Sequence, residues 1–125
     1  MSASTQATLD VATLDKQLND QILKGDILAA FERFYSENVS MQENSDPPFV
    51  GKAVNRKREE DFVASVEQIH EVKLTASAVN GDTSFSQWEF DATYKGGARA
   101  KLAEVAVRRW QNGQVAQERF YYNKG

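Results

Sequence analysis

Cysteine is absent from the 125-residue chain. That excludes thiol catalysis, thiolate metal sites and disulfides, and it fits a reducing compartment. Histidine occurs once, at position 70, so a zinc site would need several carboxylates gathered around it. There are 2 prolines and 7 glycines, and neither collagen-like periodicity nor low-complexity sequence is present. Basic residues are not in surplus: 15 Lys and Arg stand against 18 Asp and Glu, a net charge of −3. A phosphate-backbone binder would need the opposite balance on one face, so no nucleic-acid partner is expected. No apolar run approaches the roughly 20 residues needed to span a bilayer, and no membrane partner is expected. Residues 1–8 contain no basic residue and no apolar stretch. They read as a disordered polar leader rather than a signal or transit peptide, which points to a cytoplasmic protein.

What remains is ordinary globular material, 41% hydrophobic and 26% charged. Residues 9–125 read as one domain with one core. Val11, Leu14, Leu18 and Ile22 recur at three- and four-residue steps, which predicts an amphipathic helix stopping at Gly25. Asp26 is placed to cap a second helix whose stripe is Ile27, Leu28, Phe31, Phe34 and Tyr35. Val39, Met41 and Glu43 then alternate as a short strand, which Pro47-Pro48 ends. A third helix is expected over 52–66, carrying Ala53, Val54, Arg58, Phe62 and Val66 on one stripe. Within it, the run from Arg56 to Asp61 reads as a solvated face of local ion pairs. Residues 69–79, 83–94, 99–110 and 114–122 alternate in the manner of strands, separated by Asn80-Gly81-Asp82, Lys95-Gly96-Gly97 and Asn112-Gly113. Three helices from the first half against a curved, mostly antiparallel sheet make an α+β roll.

Several pieces of sequence carry a family likeness. They are Gly25-Asp26 before the second helix, Phe34-Tyr35-Ser36-Glu37-Asn38-Val39 at the first strand, and Pro48-Phe49-Val50-Gly51-Lys52-Ala53 ahead of the third helix. Asn112-Gly113-Gln114-Val115 and the ending Glu118-Arg119-Phe120-Tyr121-Tyr122 complete the set. In this order and spacing, over about residues 9–123, they resemble the SnoaL-like branch of the nuclear transport factor 2-like superfamily. The resemblance implies a cone-shaped roll enclosing a pocket, a homodimer through the outer sheet face, and no cofactor. It covers isomerases, cyclases, dehydratases and hydrolases as well as purely binding members, so fold alone does not assign an activity.

Alternation nominates the residues that share the pocket. Glu43, on the side of Val39 and Met41, falls near where ketosteroid isomerase-like members place a carboxylate base. Desolvation in an apolar pocket suits a carboxyl to general-base work near neutral pH. The simpler reading is a rim carboxylate paired with arginine. His70 is expected inward with Val72, Leu74, Ala76 and Ala78, where Glu43, Glu104 or Glu118 could fix its tautomer. A hydrogen-bonded core histidine is the alternative. Tyr35, Met41, Trp88, Phe90 and Phe120 are expected to line the pocket. Glu104, Arg108 and Glu118 are candidates to join them, with the direction of residues 99–110 left open. If both acids face inward, Arg108 could neutralise one of them; a structural ion pair or an outer-face pair at a dimer interface is the alternative. By the family pattern, Leu18 stands where ketosteroid isomerase has its oxyanion-binding tyrosine, and an acid falls at the sheet position only if Glu104 occupies it. The chain therefore departs from that enzyme's known arrangement.

Two functional hypotheses follow. One is a small cofactor-independent enzyme acting by general acid/base chemistry on a small hydrophobic carbonyl-type metabolite. The other is a non-catalytic module that binds a small molecule or dimerises through residues such as Lys73, Thr75, Gln87 and Glu89.

Overall fold

The structure, a computed structural model, describes residues 10–124; the leader expected over 1–8 lies outside them. Helix α1 (Val11–Leu23) starts where the Asp10 side chain accepts from the Thr13 amide at 2.7 Å, a side-chain cap that satisfies one orphan N–H. It turns at Gly25, whose φ of +84° is open to glycine without a Cβ penalty. Helix α2 (Ile27–Phe34) follows. Asp26 does not cap it with its side chain, which instead accepts from Gln21 Nε2 at 3.1 Å.

Strand β1 (Tyr35–Glu43) leaves α2 directly, four residues earlier than alternation from Val39 suggested. A two-residue strand β2 (Phe49–Val50), not foreseen from the sequence, pairs antiparallel with β1. Helix α3 (Lys52–Ser65) comes next, then β3 (Val66–Asn80), β4 (Thr83–Tyr94), β5 (Arg99–Gln111) and β6 (Gln114–Tyr122). The sheet order is β2-β1-β6-β5-β4-β3. Only the β1–β6 pair is parallel, closing the chain's first strand onto its last. The result is an α+β roll, three helices on a curved, unclosed, mixed six-stranded sheet.

The core lies between α1, α2 and the β1–β6–β5 part of the sheet. Leu14, Leu18, Phe31, Phe34, Val39, Met41, Trp110 and Val115 are buried there, each large side chain contributing roughly 1.5–3 kcal/mol on removal from water. Phe34 meets Trp110 edge-on at 6.2 Å and Phe31 stacks on Tyr35 at 4.8 Å. Helix α3 is different: Asn55 is its one buried residue among those described. Its Nδ2 donates to the carbonyls of Phe49 (3.0 Å), Gly51 (2.9 Å) and Val39 (3.4 Å). Val54, expected on the buried stripe, is 49% exposed. One amide therefore ties α3 to β1 and β2 where an apolar stripe was expected.

Register shifts in β3 change which residues face the helices. The pairing jumps from Ile69↔Ala92 to Glu71↔Asp91, so His70 has no partner and forms a bulge. A second shift falls between Leu74 and Ala76. Partners directly opposite share a face. Ala76 and Ala78 therefore lie with Gln87 and Phe85 on the outer face, not inward as strict alternation predicted.

Candidate functional site

A cavity of about 330 Å³ opens between α1, α2, α3 and the inner face of the sheet. Its walls are mostly apolar, with Leu18, Phe31, Phe62, Trp88, Phe90 and Phe120 among the lining residues. Strands β1, β3, β4, β5 and β6 each supply inward side chains to it, while β2 supplies none. Glu104 stands opposite Trp88 on one side and Tyr122 on the other, and Arg108 stands opposite Ser84 and Glu118. The sequence left the direction of β5 open; the pairing turns Leu102, Glu104, Ala106 and Arg108 inward.

At the buried end, Arg108 is only 2% exposed and carries the most extensive polar network. Its Nε donates to Glu118 Oε2 at 2.7 Å, and its Nη1 donates to Asp15 Oδ1 at 2.9 Å and Asn19 Oδ1 at 2.7 Å. Tyr35 donates to Glu118 Oε1 at 2.6 Å and Ser84 donates to Asp15 Oδ1 at 2.7 Å. Trp110 Nε1 in turn donates to Ser84 Oγ at 3.0 Å, and Asn19 Nδ2 donates to Ser86 Oγ at 3.1 Å. Burial opposes the Arg108 charge, but Tyr35, Glu118 and Asp15 outweigh it and hold the guanidinium above its ordinary pKa. Burial, followed by the Glu118 charge, pushes the Tyr35 hydroxyl well up. Tyr35, Arg108 and Glu118 are therefore a satisfied internal lattice facing the cavity.

At the more exposed end, Glu43 is gripped on both oxygens. Arg58 Nη2 donates to Oε2 and the Tyr122 hydroxyl donates to Oε1. Arg58 also lies over the Phe49 ring at 4.0 Å. The hydrogen bond to Glu43, then burial, pushes the Tyr122 hydroxyl up to about 12.

Two further carboxyls face the cavity, and neither carries a hydrogen bond among the described residues. Glu104, on β5, is pushed up to about 7 by burial, then by the charges of Glu118 and Glu43. Glu59, on α3, is also pushed up to about 7, by burial, then by Glu118, with Arg58 acting the other way. Half-buried carboxyls titrating near neutrality can accept or donate a proton at physiological pH.

Of the residues expected at the site, Glu43, Tyr35, Met41, Trp88, Phe90, Glu104, Arg108, Glu118 and Phe120 all line the cavity. His70 does not. The bulge turns it out; Ile69 and Val72 face the cavity in its place, and the exposed imidazole sits 2.7 Å from Thr93 Oγ1. Sequence reasoning missed Asp15 and Asn19, an i, i+4 pair beside the apolar stripe of α1. It also assigned Glu59 to a solvated charge run. In that run, Lys57–Asp61 (2.7 Å) and Arg56–Glu60 (3.2 Å) do pair on the outside, while Arg58 and Glu59 turn in. The available signal was spacing: Glu59 lies one turn after Asn55 and three residues before Phe62, the side of the helix that meets the sheet. Among the described residues, no three His, Cys, Asp or Glu side chains are grouped to hold a metal ion.

The fold has counterparts among solved structures. A candidate SnoaL-like polyketide cyclase from Mesorhizobium loti, also described as a carbohydrate phosphatase, is 25% identical to this chain. The match covers 91% of this chain and 100% of that one, with a TM-score of 0.83. A candidate polyketide cyclase from Xanthomonas campestris is 20% identical (98% and 93% covered, TM-score 0.72). A candidate isomerase from Bacillus subtilis is 16% identical (98% and 90% covered, TM-score 0.73). No curated protein matches the chain. The SnoaL-like domain family matches over residues 11–122, taking in every helix and strand of the roll and every ionisable group of the cavity, and the chain belongs to that family.

Proposed function

We propose that this protein is a small enzyme that moves a proton on a hydrophobic carbonyl compound held in the cavity, with Glu104 as the group that takes and returns it. The observation that carries this reading is an unpartnered carboxyl, raised to about 7, facing an apolar cavity. Such a group is half ionised at neutral pH, which balances the fraction in the base form against its proton affinity. Its place in the middle of a paired strand fixes it more firmly than a loop would. The carboxylate removes a proton from the carbon beside the carbonyl, the step that isomerisation, aldol-type cyclisation and dehydration share. It then returns the proton to carbon in an isomerisation, to the new alkoxide oxygen in an aldol-type cyclisation, or to the departing hydroxyl, released as water, in a dehydration. Glu43, nominated first from the sequence, has both oxygens engaged by Arg58 and Tyr122. In this reading it is a positioning residue that aligns those two side chains at the cavity's open end. His70 has no part in it.

The test has two stages. A thermal-shift screen of ketones, lactones, epoxides and polycyclic aromatics identifies a ligand; at 100 times its Kd a ligand stabilises by about 2.7 kcal/mol. Proton NMR in deuterated water then follows exchange at the carbon beside the carbonyl of a ketone hit. Wild type should catalyse exchange, and Glu104→Gln should slow it by about 100-fold or more. Unchanged exchange in Glu104→Gln contradicts the assignment. Binding without exchange in wild type leaves the non-catalytic binding module as the better reading.

A further inference from the structure

The charges on the cavity wall do not balance. The lining includes two cations, Arg58 and Arg108, and four carboxyls, Glu43, Glu59, Glu104 and Glu118. Both cations are committed. Arg58 is held by Glu43, and Arg108 by Glu118 and by Asp15 behind the wall. Glu59 and Glu104 are left facing an apolar space with no cationic partner, and an unpaired charge in such a place is costly. No three of these carboxyls are grouped tightly enough to hold a metal ion. The lining around these carboxyls is aromatic: Phe62, on α3 with Glu59, packs on Phe90 at 5.9 Å, Trp88 pairs across strands with Glu104, and Phe31 also lines the cavity. Aromatic faces attract cations, and most strongly where water is excluded.

We propose that the carbonyl compound held in this cavity is also a small amphiphilic amine, its ammonium group paired with Glu59 and its apolar body against Phe31, Phe62, Trp88 and Phe90. The inference rests on the reading of the cavity as an open catalytic site, and it names the substrate class for that site. Glu59 stands on α3 and Glu104 on the sheet, so an ammonium held by Glu59 leaves Glu104 to take the proton. The same positive charge favours the ionised form of Glu104, so the substrate would switch on the base that acts on it. An anionic ligand would meet a wall with no uncommitted cation. Charge discrimination of this kind comes from the repulsive case as well as the attractive one.

Isothermal titration calorimetry with 2-phenylethylamine and its neutral counterpart 2-phenylethanol tests the proposal. The amine is protonated throughout the range used, so its charge is constant while Glu59 titrates. At about pH 8 the amine should bind about tenfold more tightly than the alcohol, the ratio that corresponds to one pKa unit of coupling. The advantage should shrink at about pH 5.5, where Glu59 is protonated. Near pH 7, amine binding should release protons, seen as an observed heat that depends on the buffer's ionisation enthalpy. In Glu59→Gln most of the preference for the amine should be lost, a smaller part remaining from ionised Glu104, while alcohol affinity stays within a small factor. Equal or tighter alcohol binding in wild type overturns the amine proposal and leaves the acid/base reading standing. A preference undiminished in Glu59→Gln overturns the assignment of Glu59. If neither compound binds while a ketone from the screen does, the amine proposal fails alone. If amine, alcohol and ketones all fail to bind, both readings fall.

Discussion

Arg108 is a residue whose value depends wholly on its partners. It is buried, as are Asp15 and Glu118, and its guanidinium donates to Glu118, Asp15 and Asn19, two carboxylates and one amide oxygen. Removing the guanidinium leaves two buried carboxylates without their cation, so Arg108→Met should destabilise by about 3–5 kcal/mol in urea unfolding. A loss below about 1 kcal/mol would mean that water reaches the network. Glu59 and Glu104 behave in the opposite sense. Their folded pKa values, about 7, lie above the ordinary 4.5, so between those values the folded state binds more protons than the unfolded chain. Stability should therefore fall as pH rises from about 4.5 to about 7 and level off above that, by on the order of 2 kcal/mol for each carboxyl. Glu104→Gln should flatten the profile, raising the melting temperature relative to wild type at about pH 8 and leaving it little changed at about pH 4.5. Parallel profiles for the two proteins would contradict this. Much of this site was legible from alternation, because β4, β5 and β6 run without a register shift through Trp88, Glu104, Arg108 and Glu118. Glu59 was misread: in a run of six charges, local ion pairing on an exposed face was the simpler reading, and its spacing from Asn55 and Phe62 becomes informative only once Asn55 is known to be buried.

At the scale of elements, α3 buries the fewest of its residues among the three helices described. Its anchor is the Asn55 amide, with the Arg58–Glu43 pair and the Phe62–Phe90 contact beside it. Asn55→Ala removes a donor from three carbonyls of β1, β2 and the turn, of which those of Val39 and Gly51 keep backbone donors. It should cost about 1–3 kcal/mol, and amide exchange in α3 should accelerate more than in β4 and β5. Uniform acceleration across the chain would show that α3 does not open separately. Gly51, with φ of +109° and ψ of 142°, begins this helix in a region nearly closed to other residues. The extent of α3 could be read from periodicity, but the way it is held could not. Local pattern shows which side of a helix is apolar; it does not show that a buried asparagine will take three carbonyls from elements that are distant until the chain folds. β3 carries the same lesson. Its strand character was plain from composition, while the bulges that turned His70, Ala76 and Ala78 outward are set by pairing with β4.

For the whole molecule, the order of elements and the turn signals between them were sufficient to predict the roll. The strand that alternation could not supply was β2, whose two residues are too few to show a period. The closure of β1 on β6 is what matters for function. It brings Tyr35, Met41 and Glu43 from the first half of the chain beside Glu118, Phe120 and Tyr122 from its end, and α3 then covers the mouth so formed. The cavity thus has a satisfied polar lattice at its buried end, an engaged Glu43 at its open end, and two unpartnered carboxyls between the sheet and α3. In this reading these two exchange protons at neutral pH. Carbon-13 NMR of the glutamate side-chain carboxyls as a function of pH, with Glu59→Gln and Glu104→Gln used to assign the signals, is the decisive measurement. Two carboxyls should titrate with midpoints near 7. Midpoints for both near the ordinary 4.5 would show the carboxyls to be fully ionised and solvated, and would contradict it.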